Sequence, residues 1–222
     1  MEDNTNKQYK ANKNQTWTMK KCILFFVIAA LFAITASRMA HFHQLQQQVA
    51  DKVIRFHVLA NSDSSKDQAL KLAVRDCVGT YLGEQLKDAE TLADGKAILA
   101  ANLEEVEAYA AEEIARWGYD YPVSASLETC YFPIKAYGEA VFPPGNYQAL
   151  RVVIGEGEGK NWWCVLYPNL CFSGNLYHID EDASTEKLKT MLSPEEYKMI
   201  MENKEYEIGF RIQEVFSELL AR

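Results

Sequence analysis

The apolar positions of this chain repeat with two different periods. Over residues 53–60 (VIRFHVLA) they alternate, placing Ile54, Phe56 and Val58 on one face and Arg55 and His57 on the other. That is the period of a strand with one dry and one wet face. The spacing then lengthens to three and four. Leu70, Val74, Cys77, Val78 and Tyr81 line one side of a helix. It is expected to start near Lys66, behind the capping-box pairs Ser64 with Asp67 and Ser65 with Gln68, and to stop at Gly83. A second helix is predicted over 88–117, where Leu92, Leu99 and Val106 recur every seven residues. Leu103, Ala110 and Trp117 fill the interleaved positions, and Gly118 ends the pattern.

Alternation returns over 121–134, with Val123, Ala125 and Leu127 set against Ser124, Ser126 and Glu128. The segments 148–154 (QALRVVI) and 161–166 (NWWCVL) flank GEGEGK, whose glycines permit positive φ angles, so the spacing predicts a hairpin. Two helices follow, one around 184–192 and one opening at Pro194, capped by Ser193 with Glu196 completing the box. A last strand is expected over 206–212, and the tail 214–222 is expected to close as a short helix. This irregular succession predicts an α+β domain over 53–222, with a mostly antiparallel sheet of about five strands covered by helices on one side.

Ahead of the domain lies a segment of a different kind. Within residues 1–37, Lys7, Lys10, Lys13, Lys20 and Lys21 outnumber Glu2 and Asp3, and the run 22–36 (CILFFVIAALFAITA) carries no charge. The small residues Thr35, Ala36 and Ser37 close it, which is the layout of a secretory signal. As a helix the run rises about 22 Å, short of a hydrocarbon core of roughly 30 Å, so cleavage after Ser37 is expected. The alternative is an uncleaved anchor, lengthened by Trp17, Met19 and Met39 through tilt and snorkelling, with residues 22–36 in the membrane. Either arrangement exports the remainder. Residues 38–52 are polar and read as a linker or helical lead.

Composition fits a globular domain: of 222 residues, 48% are apolar and 12% aromatic. Lys and Arg number 23 against 31 Asp and Glu, a formal charge of −8. Beyond residue 37 the balance is 18 against 29, or −11. No basic stripe offsets it, which argues against nucleic acid as a partner. Export permits oxidised cysteines, and four lie beyond the leader: Cys77, Cys130, Cys164 and Cys171. Cys164 and Cys171 are close in sequence across Pro168 and Asn169, a chain-reversing pair, so a disulfide between them is one reading and four buried thiols the other. There is no Cys-x-x-Cys pair, and His41, His43, His57 and His178 lack ligand spacing, so no metal site is expected. The Gly155, Gly157, Gly159 loop leads into a strand rather than a helix N-terminus, so it is not read as a phosphate cradle, and no cofactor is expected. The carboxylates Glu104, Glu105, Glu107, Glu112 and Glu113 read as a solvated helix face.

Catalytic motifs such as G-x-S-x-G, HExxH or Asp-Ser/Thr-Gly do not occur. Two polar or aromatic clusters remain. The first is the strand-to-helix turn, where Arg55, His57, Asn61, Asp63, Asp67, Lys71, Arg75 and Asp76 converge, either as a general acid–base group or, more simply, as capping and i,i+4 pairing such as Asp67 with Lys71. The second is WWC at 162–164 with YPNLCF at 167–172. Trp162 and Trp163 must point to opposite faces of a strand, one into the core and one outward as a candidate partner anchor.

Several blocks carry a family resemblance: IRFHVLANSDSSKDQALKLAVRD (54–76), FPIKAYG (132–138), FPPGNYQALRVVIGEGEGKNWWCVLYPNLCF (142–172) and the EEY of 195–197. Over about 53–213 the chain resembles the stage II sporulation protein R family of endospore-forming bacteria, departing from the family's FPPLCF at Tyr167 and Asn169. The resemblance implies a protein made in the forespore and exported into the space between forespore and mother cell. There it would trigger a membrane-embedded aspartic peptidase that matures the sigma-E factor from its precursor. A non-enzymatic signal is thus expected, acting by differential binding. The polar turn and the tryptophans are the expected contact. Two other classes are a secreted hydrolase using His57 with Asp63 or Asp67, and a wall- or glycan-binding module stacking sugars on the tryptophans.

Overall fold

The computed structural model of the chain describes residues 2–168 and 181–201, with side chains from 19 to 168 and from 186 to 201. Cys171, the strand expected over 206–212 and the helix expected over 214–222 lie outside the described residues. The chain divides into two compact units, 1–44 and 45–222. The first is the greater part of helix α1, Glu2–Ala50. Within it Met19–Ala50 is long and apolar enough to cross a membrane, with mean hydropathy 2.2 over its most apolar stretch and none of that stretch buried. The last turns of α1 belong to the second unit, where Leu45, Val49 and Ala50 are buried. The lead is therefore helical.

The second unit is the α+β domain. Its main sheet has the order β2-β5-β1-β6. These strands are β1 (Ile54–Leu59), β2 (Val123–Phe132), β5 (Gly145–Ile154) and β6 (Asn161–Tyr167). Two of its pairings are antiparallel, β2 with β5 and β1 with β6. The third, β1 with β5, is parallel, so the sheet is mixed. A separate two-stranded ribbon is made of β3 (Lys135–Tyr137) and β4 (Ala140–Phe142), turning through Gly138 at φ 59°.

The expected hairpin of 148–154 with 161–166 does not form, because β1 lies between those two strands. The six-residue connection 155–160 must step over two inter-strand spacings, about 10 Å, which six residues span easily. Its glycines serve a different end from a tight turn. Gly155 and Gly157 have φ near +60°, and a Cβ on Gly159 would fall 2.3 Å from the Ser62 carbonyl oxygen. The loop lies flat against the turn that follows β1, and only glycine fits that approach.

Helix α2 (Ser65–Leu86) is capped by Ser64, whose hydroxyl accepts from the Asp67 amide at 3.1 Å. It continues through Gly83 because Leu82 and Leu86 are buried on either side of it. The buried stripe is Leu70, Val74, Val78, Leu82 and Leu86, which moves Cys77 to a half-buried edge. The single helix expected over 88–117 is two, α3 (Leu92–Ala101) and α4 (Leu103–Arg116), joined at Asn102. Asn102 donates to the Ile98 carbonyl at 2.7 Å and accepts from the Tyr81 hydroxyl, so its side chain ties the end of α3 to α2 at the break. Leu99, Val106, Ala110 and Ile114 are buried across the joint, whereas Trp117 stays 44% exposed. Two of the glutamates read as solvated have structural partners: Glu107 accepts from the Ala125 amide of β2 at 2.7 Å, and buried Glu113 accepts from Trp117 Nε1 at 2.9 Å.

These helices cover the sheet face bearing Ile54, Phe56 and Val58. Beyond the sheet come α5 (Glu181–Met191) and α6 (Pro194–Met201). The Ser193 box closes as expected, with the Ser193 amide donating to Glu196 at 2.6 Å and the Glu196 amide to Ser193 at 3.3 Å. Buried Glu196 also receives Lys52 at 2.6 Å, tying α6 to the segment just before β1.

Gly159→Ala should destabilise the domain by about 1–3 kcal/mol, because the backbone oxygen it meets cannot swing aside. Gly83→Ala, in mid-helix with open space around it, should instead stabilise it by about 0.5–1 kcal/mol. Urea unfolding of the two variants checks both signs.

Candidate functional site

The β1–α2 turn sets out as a polar cluster and ends as a staple. Asn61 and Ser62 both donate to Asp67 Oδ2, Asn61 at 3.0 Å, and the Tyr121 hydroxyl reaches Oδ1 at 3.3 Å. These donors, Ser62 foremost, hold the Asp67 carboxyl below the ordinary carboxylate range. The turn also grips the glycine loop. Asn61 Oδ1 accepts from the Glu156 amide at 3.0 Å, Asp63 from the Lys160 amide at 2.6 Å, and Ala60 O from the Gly159 amide at 2.9 Å. Lys71 donates to the Lys160 carbonyl at 2.9 Å and to Gln68 at 2.7 Å, and its burial lowers its proton affinity. The expected Asp67–Lys71 pairing is thus replaced by partners across the loop.

The opposite face of β1, expected to be wet, is dry. Phe132, the β3–β4 ribbon and Tyr147 cover it, and Arg55 is fully buried. Its Cζ lies 4.4 Å from the Phe132 ring centroid, 4.8 Å from Tyr147, 5.2 Å from Phe142 and 5.6 Å from Tyr137. Nε donates to the Cys164 carbonyl at 2.9 Å and Nη2 to the Tyr137 hydroxyl at 2.9 Å, while Nη1 has no hydrogen-bond partner. Burial pushes the hydroxyls of Tyr137 and Tyr147 toward the neutral form, so neither offers the guanidinium a negative charge.

His57, two residues along, is buried and stacked on Trp163 with ring centroids 3.8 Å apart and planes at 17°. Its Nε2 meets Asn161 Oδ1 at 2.8 Å, and its Nδ1 lies 4.0 Å from Cys130 Sγ. Desolvation, with the charge of Arg151 in support, lowers its pKa to about 4, so the ring is neutral at pH 7. The Asn161 oxygen accepts only, which puts the ring hydrogen on Nε2 and leaves Nδ1 bare toward the thiol. Burial in turn raises the Cys130 thiol. Both partners rest uncharged, an arrangement unlike the thiolate–imidazolium pair of an activated nucleophile.

The tryptophans divide between the two faces, as their adjacency requires. Trp162 packs on the helix side, edge-on to Phe56 at 5.8 Å and beneath the Arg75 guanidinium at 4.8 Å. Arg75 itself is buried and bonds Asp76. Both indoles are half-buried. Cys164 is disulfide-bonded, and Cys22, Cys77 and Cys130 are free thiols. Cys171, the expected partner, lies outside the described residues.

The structure therefore joins Asn61, Asp63, Asp67 and Lys71 in one network and places Arg55 and His57 on the reverse side of β1, where they meet Trp163. Neither hydrogen bond nor ion pair links His57 to Asp63 or Asp67: His57 bonds Asn161, and Asp63 bonds Lys160. The pattern of the sequence did not mark Cys130, Asn161, Phe132, Tyr137, Phe142 and Tyr147 as parts of the Arg55–His57 face. A signal was present, since the four rings around Arg55 all fall in FPIKAYG (132–138) and FPPGNYQ (142–148). Among the described residues no group of three or more His, Cys, Asp or Glu is placed to hold a metal ion.

A family model described as stage II sporulation protein R matches residues 50–176, more than half of the chain. The curated stage II sporulation protein R of Bacillus subtilis is 35% identical over 176 residues, covering 76% of this chain and 79% of that protein. No solved structure matches. All the residues of the turn, the Arg55 cage and the His57 stack fall inside the matched segment.

His57 gives the domain an acid-side instability. The unfolded side chain takes up a proton near its ordinary value of 6.5 and the folded one only at about 4. Between those values the unfolded chain holds more protons, so this contribution is complete above 6.5, is lost as pH falls through the window, and levels off below it. The whole loss is about 3 kcal/mol. Urea unfolding between pH 7 and pH 4 should show this slope in the wild type and lack it in His57→Phe.

Proposed function

Because the chain belongs to the stage II sporulation protein R family, we propose that it is the exported signal of sporulation that activates a membrane-embedded aspartic peptidase, which then matures the sigma-E factor from its precursor. The family match carries this reading. An apolar N-terminal helix that fits a signal sequence or membrane anchor supports it, since the domain that follows would act outside the compartment of its synthesis. The forespore is that compartment in this proposal, and the space between forespore and mother cell is where the domain works.

A signal of this kind acts by binding the active arrangement of its target more tightly than the inactive one. The contact we propose is the outer side of the β1–α2 turn together with the start of β6, which the Asp63–Lys160 bond holds side by side. Asn61, exposed Asp63 and the half-buried Trp162 and Trp163 supply the contacting atoms. At rest Arg55, His57, Asp67, Lys71 and Arg75 are buried and hold those atoms in place. The neutral state of His57 and Cys130, and the lack of a His57–Asp63 link, favour a binding role over hydrolysis.

Membranes carrying the peptidase and its precursor substrate, with and without the full-length chain, test the reading. Processing that needs both proteins is the expected outcome; processing by the chain alone, or none with folded chain, overturns it. Trp162→Ala and Trp163→Ala, tested singly on folded protein, locate the contact. Loss of an interface anchor should raise the half-activating concentration roughly thirtyfold, the equivalent of about 2 kcal/mol. If neither variant shifts it, the tryptophans are not the contact.

A further inference from the structure

A buried arginine normally faces a carboxylate, and Arg55 does not. It is 0% exposed, and among the described residues no Asp or Glu lies within ion-pair distance of it. The four rings offset part of the desolvation, since a cation over an aromatic face is attracted to it, but rings accept no directed hydrogen bond from Nη1. What remains is a positive charge in a low-dielectric interior with one –NH₂ arm idle. Two of the four rings around the guanidinium belong to the slightest part of the domain. Tyr137 and Phe142 come from a ribbon of three-residue strands that pairs with no strand of the main sheet. A two-stranded ribbon of that length does not hold itself. It stays down through its rings against Arg55, the Tyr137 hydroxyl on Nη2, and the contact of β4 with α6.

We propose that Arg55 is a recognition site for a carboxylate, closed at rest by the β3–β4 ribbon, and that its ligand is an acidic side chain on a peptide segment of the partner protein. Nη1 and Nη2 form one side of the guanidinium fork and match the two oxygens of a carboxylate. One oxygen takes the idle Nη1. The other replaces the Tyr137 hydroxyl on Nη2, which unlatches the ribbon. Binding and opening are therefore a single exchange: one hydrogen bond from the guanidinium to a neutral hydroxyl is given up, two to an ionised carboxylate form, and the buried cation gains its counter-charge. The idea extends the signalling role proposed above by naming the partner's chemistry.

The test leaves the peptidase out, so that it can fail or succeed independently of the signalling reading. Full-length chain in lipid nanodiscs is titrated with N-acetylglutamate amide against N-acetylglutamine amide, which has the same shape without the charge. Hydrogen exchange of the 135–142 amides is the readout. The glutamate compound alone should speed their exchange, saturably. Tyr137→Phe frees Nη2 beforehand and should tighten binding roughly tenfold, the worth of one hydrogen bond to a charged group. Arg55→Met removes the buried charge and, with it, a donor to the Cys164 carbonyl and the Tyr137 hydroxyl; it should abolish the response, and cooperative urea unfolding checks that the variant is folded. Should that variant not fold, Arg55→Lys keeps the charge but loses the fork and should weaken binding by roughly the same factor. Equal responses to the two compounds, no response in either wild type or Tyr137→Phe, or an unchanged response on altering Arg55, overturns the proposal.

Discussion

A guanidinium that cannot reach water sits on an inner strand of the sheet, and much of the domain's far side is arranged around it. Because β1 pairs with β5 on one edge and β6 on the other, an arginine there must project from one face or the other. The helix face is filled by α2, α3 and α4. Arg55 goes to the opposite face, and the chain covers it with rings drawn from four separate places, the end of β2, both strands of the ribbon and the start of β5. The same charge fixes the Cys164 carbonyl in β6, so one side chain ties β1 to β6 and to the ribbon at once. Removal of the guanidinium would leave those carbonyl and hydroxyl groups without that donor, which is why the site is structural before it is anything else.

At the other end of β1, electrostatics give way to fit. The glycine loop and the polar turn are complementary surfaces of backbone: amides of 156, 159 and 160 find acceptors on residues 60, 61 and 63, and the turn's own carboxylate is saturated by neighbours. The turn's reactive-looking residues are thereby spent on geometry. What is left facing outward at that end is an edge pinned by those bonds.

Local grammar made a good part of this visible in advance. The strand at 53–60, the start of α2 behind Ser64 and the Ser193 box are decided within a few residues, and they stand where the pattern put them. Decisions made by distant residues were not visible. Nothing within NWWCVL or QALRVVI says that β1 will come between them, because strand order depends on which faces must be buried across the whole sheet. Arg55 and His57 alternate with apolar residues just as solvent-facing ones would, and only the rings supplied some 80 to 90 positions later make their face dry. The break at Asn102 was hidden for another reason: a one-residue joint lets the buried positions keep step from α3 into α4. Glu107 and Glu113 look like their solvated neighbours until β2 and Trp117 arrive beside them.

The pairing of the first strand has a consequence for how the domain comes into being. The hydrogen bond from Arg55 to the Cys164 carbonyl joins positions 109 residues apart, and β1's other neighbour, β5, is also remote. Helices α2, α3 and α4 close contacts over short loops, but the strand around which they pack has no partner until the fifth strand has been synthesised, and its second only with the sixth. Contacts so distant in sequence carry a large loop-closure cost before any reward, and domains built on them fold slowly. For a chain headed by an apolar export or anchor helix this delay is useful. A polypeptide exported by such a helix would reach the membrane while still threadable, and its sheet would assemble only after the whole of it had passed to the other side.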